Sequence, residues 1–487
     1  MRIPLYCAFH APTGDETIET NNCFRLLGCA VIALLFCSRA GVADEAAPAL
    51  NLLAIVTDDQ ARWGVGIYGN TEIRTPHMDR IGQAGAVFTN AFVATPVCSP
   101  SRATYFTGLY PTQLGITDWI HPQEAADGLG LAAPTWPQAL QAAGYQTAMI
   151  GKWHLGMREE FHPSRLGFDE FYGFLGGGNR PVDPTLEVDG RERKLAGPLP
   201  DLLADATIDF IDRHRDDPWA VCLHFRAPHL PYGPVPEADS APYGDLKPEV
   251  TMRPGANREF LEKEMRGYYG SISSIDRNVG RVLEVLDERG LTERTIVVFT
   301  SDHGYNIGHH SIETKGNGRW VAGGVRGPKR PNMWDTSIRV PLLVRWPGVV
   351  EPGTTIDATV SNLDMYRTVL GALDIPVPES SAAQGEDYSP VLRGEGTLAR
   401  DVLFGQYDLH NSGLAYMRMI RTDRYKLVRH FHTRGLDELY DLASDPGEAR
   451  NLINRPNDET RRIVADLQAR LTAWQESIDD PILSDDY

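Results

Sequence analysis

Thr95-Pro-Val-Cys98-Ser-Pro-Ser-Arg102-Ala-Thr-Tyr-Phe-Thr-Gly108 sets one cysteine, one proline and one arginine at short fixed offsets. A lone thiol is ordinarily a small buried hydrophobe. The neighbours of Cys98 argue for more than that. Residues 99–102 open a helix-compatible run in which Pro100 is tolerated in the first turn. Cys98 is therefore expected at a helix N-terminus, where free N–H groups attract negative charge. Arg102, one turn on, adds a fixed cation. The stretch reads as a place for chemistry on an anion.

On either side of it, apolar strand-like runs alternate with helical patterns, the signal for an α/β layer with a largely parallel sheet. Leu52-Leu-Ala-Ile-Val56 is the first expected strand; a helix over 134–144 precedes Thr147-Ala-Met-Ile150, and a helix over 203–213 precedes a strand around Val221. Over 258–289 the residues Ile272, Ile275, Val279, Val282 and Leu286 recur at helical spacing and lead into Thr295-Ile-Val-Val-Phe-Thr300. Leu342-Leu-Val344 reads as a further strand and 363–373 as a helix. After about Pro376 the composition shifts toward Pro, Ser, Ala and Gln, and shorter, more exposed strands are expected. The resulting division is 1–43 leader, 44–376 catalytic α/β domain and 377–487 C-terminal subdomain.

The chain has 487 residues, of which 42% are hydrophobic and 23% charged, ordinary for a globular enzyme with a sizeable core. Its formal charge of −18 argues against nucleic acid as a partner, since no general basic surface is available to displace counterions. An anionic substrate needs a local cationic pocket. Near the N-terminus, Arg25 precedes the apolar run from Leu26 to Cys37, and Gly41-Val-Ala43 supplies small residues before Asp44-Glu45. This reads as a secretory signal peptide cut near Ala43, with a long lead before Arg25, so the protein is expected to be exported, periplasmic or secreted. About a dozen apolar residues is short for a membrane span, so no stable insertion is expected after cleavage. Cleavage removes Cys7, Cys23, Cys29 and Cys37 and leaves only Cys98 and Cys222. That argues against a disulfide framework, and Cys222 reads as a buried strand thiol.

Two acidic pairs follow expected strands: Asp58-Asp59 after the first, and Asp302-His303 after the strand ending at Thr300-Ser301. Ligand sites of open α/β sheets lie at the carboxyl ends of strands, which brings the two distant pairs into one expected cluster. Three further motifs carry cations and proton carriers: Gly151-Lys152-Trp-His154-Leu-Gly156, Ala227-Pro-His229-Leu-Pro231 and Thr314-Lys315-Gly-Asn-Gly318. Lys152 and His154, two apart, would point to one side if the chain is extended there.

The run from Cys98 through Pro100 and Arg102 to Thr107-Gly108 resembles the C-x-P-x-R and T-G signature of the type I sulfatases. The stretch from Glu438 to Leu452, followed by an expected helix over 463–474, is similar to their C-terminal signature. The resemblance implies an alkaline-phosphatase-like fold: a large mixed, mostly parallel sheet between helices, with a smaller C-terminal antiparallel sheet and helix. It implies oxidation of Cys98 to formylglycine by a formylglycine-generating or anaerobic sulfatase-maturating enzyme. It also implies one divalent cation, commonly calcium, on Asp58, Asp59, Asp302, His303 and the matured residue 98. Oxygen ligands favour a hard ion, whereas the imidazole at 303, where the family often has asparagine, is softer.

Carried over residue by residue, Arg102 and Lys152 would hold the formylglycine oxygens, His154 would take its second proton, and His229 and Lys315 would contact the sulfate. Asp302 would help activate the attacking hydroxyl. His229 is the expected acid for the leaving alcohol. An insertion around 319–328 leaves Lys329 or Arg330 as alternatives to Lys315. The expected activity is hydrolysis of a sulfate ester, with a sulfated carbohydrate as partner. Asp118, Trp119, His121, His309 and His310 are candidates for the pocket mouth. Two other readings remain: a phosphonate or phosphate ester hydrolase on the same fold, and a non-catalytic relative that binds sulfated glycans. A zinc phosphatase with a Ser or Thr nucleophile would leave the cysteine motif unexplained.

Overall fold

A computed structural model describes residues 49–250, 256–321, 329–411 and 413–484. The expected leader, and the greater part of the insertion around 319–328, lie outside the described residues. Ten strands form the main sheet: β1 (Asn51–Asp58), β2 (Ala86–Phe92), β3 (Gln146–Lys152), β4 (Glu170–Phe174), β5 (Thr185–Val188), β6 (Arg191–Lys194), β7 (Trp219–Pro228), β8 (Thr295–Ser301), β9 (Leu342–Arg345) and β10 (Thr354–Ser361). Their spatial order is β10-β2-β9-β8-β1-β7-β3-β4-β5-β6. The central run β8-β1-β7-β3-β4 is parallel, and β9 enters antiparallel between β8 and β2.

The strands at the centre are apolar on both faces because both faces are covered. Along β1, Leu52, Ala54 and Val56 enter one core while Leu53 and Ile55 enter the other. β8 divides in the same way, with Ile296 and Val298 on one side and Val297 and Phe299 on the other. One face is covered by α1 (Pro76–Gln83), α4 (Leu199–Arg213) and α5 (Arg258–Glu288). The apolar positions expected on α5, from Ile272 to Leu286, are fully buried there, each contributing roughly 1.5–3 kcal/mol. The other face takes α2 (Cys98–Thr107), α3 (Trp136–Ala142) and α6 (Met365–Ala372).

A second, antiparallel sheet comprises β11 (Leu403–Leu409), β12 (Ala415–Arg421), β13 (Tyr425–His430) and β14 (Glu438–Asp441), followed by α7 (Asp458–Ser477). The expectation of exposed strands here fails. Tyr407, Met417, Met419 and Val428 share the core of the main layer, while Ile420, Leu427 and Leu439 lie under Leu467, Leu471 and Trp474 of α7. Both faces are therefore covered. No helix among the described residues is long and apolar enough to cross a membrane.

Candidate active site

β1 and β8 run in register, with Thr57 opposite Ser301, so the residues that follow leave the sheet side by side. Asp59 turns out of β1 with φ 73°, a left-handed conformation that aspartate tolerates better than most side chains. Its N–H donates to Asp302 Oδ1 at 3.2 Å, locking the two strand ends together. The expected clustering of the two acidic pairs is thus realised.

Cys98 opens α2 after an extended Val97, and its side chain is buried beside this cluster. Burial alone would push the thiol up, but Lys152, Lys315 and His154 hold it well below its ordinary value. Lys152, the last residue of β3, places Nζ 2.6 Å from Asp58 Oδ2 with no exposure to solvent. Gly151 makes that possible: a Cβ there would lie 1.9 Å from the His224 carbonyl oxygen, and its φ is 116°. Lys315 Nζ lies 2.8 Å from Asp59 Oδ1, and the carboxylate raises its pKa against the effect of burial. Lys329 instead donates to the Asn317 carbonyl at 3.0 Å, and Arg330 pairs with Glu438 at 3.2 Å, so Lys315 is the lysine that reaches the cluster.

Arg102 extends from α2 under the site. Its Nε donates to Asp302 Oδ2 at 3.0 Å and its Nη1 to the Lys152 carbonyl at 3.1 Å, with Nη1 also 3.1 Å from His224 Nδ1. Burial, with Asp58 nearby, pushes the Asp302 carboxyl up to about 6. Asp58 behaves oppositely: burial opposes its charge, yet Lys152, His229, Lys315 and Arg102 hold it well below the usual carboxylate range.

Three histidines are each pinned by a main-chain carbonyl. Because a carbonyl only accepts, the pinned nitrogen carries the hydrogen, and the other nitrogen is the chemically variable one. His154 Nε2 donates to Ile120 O at 3.1 Å, leaving Nδ1 buried with no hydrogen-bond partner among the described residues. His303 Nδ1 donates to Gly304 O at 3.0 Å, leaving Nε2 at 3.3 Å from Asp59 Oδ1 and 3.4 Å from Asp302 Oδ1. Burial opposes charge on His303, but Asp302 raises its pKa. His229 Nδ1 donates to Leu230 O at 2.7 Å, and its Nε2 stands 3.8 Å from Asp59 Oδ2. Burial lowers its pKa, with Lys315 and Lys152 adding to the effect.

The extended run that would turn Lys152 and His154 to one side ends at Lys152. His154 has φ 61°, and its ring lies over Gly177, where a Cβ would come within 2.5 Å of the imidazole. Asp118 also departs from expectation. It is buried and accepts from the Trp119, His410 and Asn411 N–H groups and from Tyr407 Oη, tying the loop after α2 to the second sheet rather than lining a mouth. His121 caps a short helix through Gln123 N–H at 3.2 Å. His309 packs against Trp63 in a tilted arrangement, and His310 is stacked on Trp334. Cys222 is a buried free thiol in β7, as expected, and burial raises its pKa well above the ordinary value. His224 and Arg226, also on β7, were not anticipated; the signal was a polar pair inside the apolar run Val221-Cys-Leu-His-Phe-Arg226.

A metal fits this donor set. Ligand atoms of Asp58, Asp302 and His303 lie within 4.8 Å of one another, as do those of Asp58, Asp59 and His229. Asp58 Oδ1 and His303 Nε2 are buried without hydrogen-bond partners among the described residues, the state of atoms awaiting a cation.

The sulfatase family model matches residues 50–375, and the model of the N-sulphoglucosamine sulphohydrolase C-terminal region matches residues 328–477. The chain is 31% identical over 455 residues to an ulvan-active sulfatase of Formosa agariphila, covering 90% of this chain and 83% of the relative. It is 26% identical to an N-acetylglucosamine-6-O-sulfatase of Bacteroides thetaiotaomicron, covering 90% and 88%. A solved structure of a protein in complex with its substrate D-glucosamine-2-N,6-O-disulfate shares the fold at a TM-score of 0.76 and 24% identity, covering 90% of this chain and all of the other. With a family model across most of its length and acidic, cationic and imidazole groups converging on Cys98, this chain belongs to the sulfatase family of the alkaline-phosphatase-like superfamily and is a hydrolase of sulfate esters.

Proposed function

We propose that this sulfatase removes sulfate from a sulfated carbohydrate outside the cytoplasm, using formylglycine matured from Cys98 and one calcium ion. The observation that carries this reading is the placement of Cys98. It stands at the first position of a helix, beside Lys152, Lys315 and His154, where an ordinary structural cysteine has no need of cations. Once formed and hydrated, the aldehyde would supply a diol whose hydroxyl serves as nucleophile. Calcium, held by Asp58, Asp59, Asp302 and His303, would add positive charge facing the sulfate oxygens.

The chain's own residues divide the remaining work. Lys152 stands beside position 98, and Arg102, bonded to the Lys152 carbonyl, would join it in fixing the matured side chain, while Asp302, held by Arg102, would assist its deprotonation. His154 offers an unpartnered Nδ1 as the base that takes a proton from position 98 during sulfate release. Lys315 and His229 meet the sulfate, and His229 Nε2 protonates the leaving oxygen. An anionic substrate offsets the two lysines that depress His229, so the proton is favoured when the ester is bound. Preorganised donors of this kind act where charge develops in the transition state. The carbohydrate class follows the names of the relatives, which include an ulvan-active enzyme and an N-acetylglucosamine-6-O-sulfatase. Export follows the leader, and maturation requires a formylglycine-generating or anaerobic sulfatase-maturating enzyme as partner.

The test is mass spectrometry of the Cys98 peptide from a host that installs formylglycine, with turnover measured on sulfated mono- and oligosaccharides and matched phosphate esters. The expected result is the aldehyde mass together with sulfate release that is lost on chelation and restored best by calcium. An unmodified Cys98 in active protein, or faster turnover of the phosphate esters, would overturn the reading.

A further inference from the structure

Arg226 is buried near the end of β7, three residues before His229, and among the described residues no carboxylate forms a salt bridge with it. Its guanidinium turns back on its own loop. Nη1 donates to the His229 carbonyl at 3.0 Å and the Pro231 carbonyl at 3.2 Å, and Nη2 donates to the Leu230 carbonyl. The Arg226 carbonyl in turn accepts the His229 N–H at 3.1 Å. One side chain therefore gathers three consecutive carbonyls. The middle one, Leu230 O, is also the acceptor that pins His229 Nδ1 at 2.7 Å.

We propose that Arg226 is a positioning residue for departure of the leaving group: by fixing the Leu230 carbonyl it holds the His229 ring in one orientation, with Nδ1 bearing its hydrogen and Nε2 directed at the leaving oxygen. This rests on the reading of His229 as the acid. Loss of the clamp frees Leu230 O to rotate, and the ring loses the acceptor that orients it. Second partners of this kind set the tautomer and direction of functional imidazoles. A buried guanidinium suits the task because its planar fork presents several donors in fixed directions, which a lysine ammonium does not.

The experiment measures kcat/KM for wild type, H229A, R226M and R226K on substituted phenyl sulfates of graded leaving-group acidity, with thermal melting of each variant. Arg226→Met is expected to cost on the order of 10²-fold on the poorest leaving group and under about threefold on 4-nitrophenyl sulfate, chiefly in kcat. H229A is expected to show the same leaving-group dependence, and R226M on the H229A background to steepen it no further. R226K, which keeps the charge but not the fork, is expected to fall between wild type and R226M. If R226M does not fold, the R226K series decides by the same slope. Equal losses across the series in folded Arg226 variants, or a rise in KM alone, would overturn the positioning role. A uniform loss in H229A would instead overturn the acid assignment itself.

Discussion

Two fully buried arginines serve opposite ends. Arg418, on β12, donates from Nε to Asp480 Oδ2 at 2.5 Å, from Nη1 to Asp408 Oδ1 at 2.5 Å and the Met417 carbonyl at 2.9 Å, and from Nη2 to Asp408 Oδ2 at 3.1 Å and Asp480 Oδ1 at 2.8 Å. Every donor of the guanidinium is used, and both aspartates are satisfied. Arg102 is equally buried, yet its Nη2 lies 3.0 Å from Asp302 Oδ2 without a well-aligned hydrogen bond. Around it Asp58 Oδ1, His154 Nδ1, His224 Nε2 and His303 Nε2 lack hydrogen-bond partners among the described residues. Buried polar atoms left open are costly, and a cluster of them marks a place that an ion, water or ligand can complete. The closed set holds the chain's C-terminal region to the second sheet; the open set suits the ion and substrate of the proposed function.

The contrast breaks first at Cys98. Cys98→Ala is expected to abolish turnover of a sulfate ester by at least about 10³-fold while leaving the melting temperature nearly unchanged, read by kinetics and calorimetry on one preparation. Arg418→Ala should do the reverse. Removing one partner strands two buried carboxylates and costs about 3–5 kcal/mol in a denaturant titration, while kcat/KM of the folded fraction stays at the wild-type value. An unchanged unfolding midpoint would show that the closed cluster is not a stability element.

The smallest effect concerns a third buried charge, Asp276 on α5, which accepts the N–H groups of His77 and Met78 at the start of α1. Burial pushes its carboxyl up to about 7 from an ordinary 3.8. The folded state then holds a proton that the unfolded chain has lost across that interval, so this contribution to stability declines as pH rises from about 4 to 7. Asp276→Asn should flatten that part of the melting profile; an unaltered slope would remove Asp276 as its source.

The legible parts of the sequence were those whose signal is local. β1, β7 and β8 are short apolar runs, α5 has its spacing, and Asp58-Asp59 and Asp302-His303 stand at strand ends, so their convergence followed from the rule of parallel sheets. β2 and β10 were not read. Ala86-Val-Phe-Thr-Asn-Ala-Phe92 and Thr354-Thr-Ile-Asp-Ala-Thr-Val-Ser361 carry polar residues through much of their length, and each becomes a strand by pairing with the other across more than half the chain. The left-handed turn at His154 was hidden for a different reason. The space its ring occupies is left by Gly177, more than twenty residues away. The role of Arg226 is not legible in the sequence because its partners are main-chain carbonyls, which leave no compositional trace.

The two cysteines of the described residues are both buried and free. A thiol reagent therefore reaches neither until the chain opens, and the number it then consumes records the molecule's history. On the proposed function, a chain freed of its expected leader and never matured would take up two equivalents in denaturant, one at Cys98 and one at Cys222, and a chain converted to the aldehyde would take up one. On that reading, labelling stoichiometry would count the active fraction of a preparation without any substrate at all.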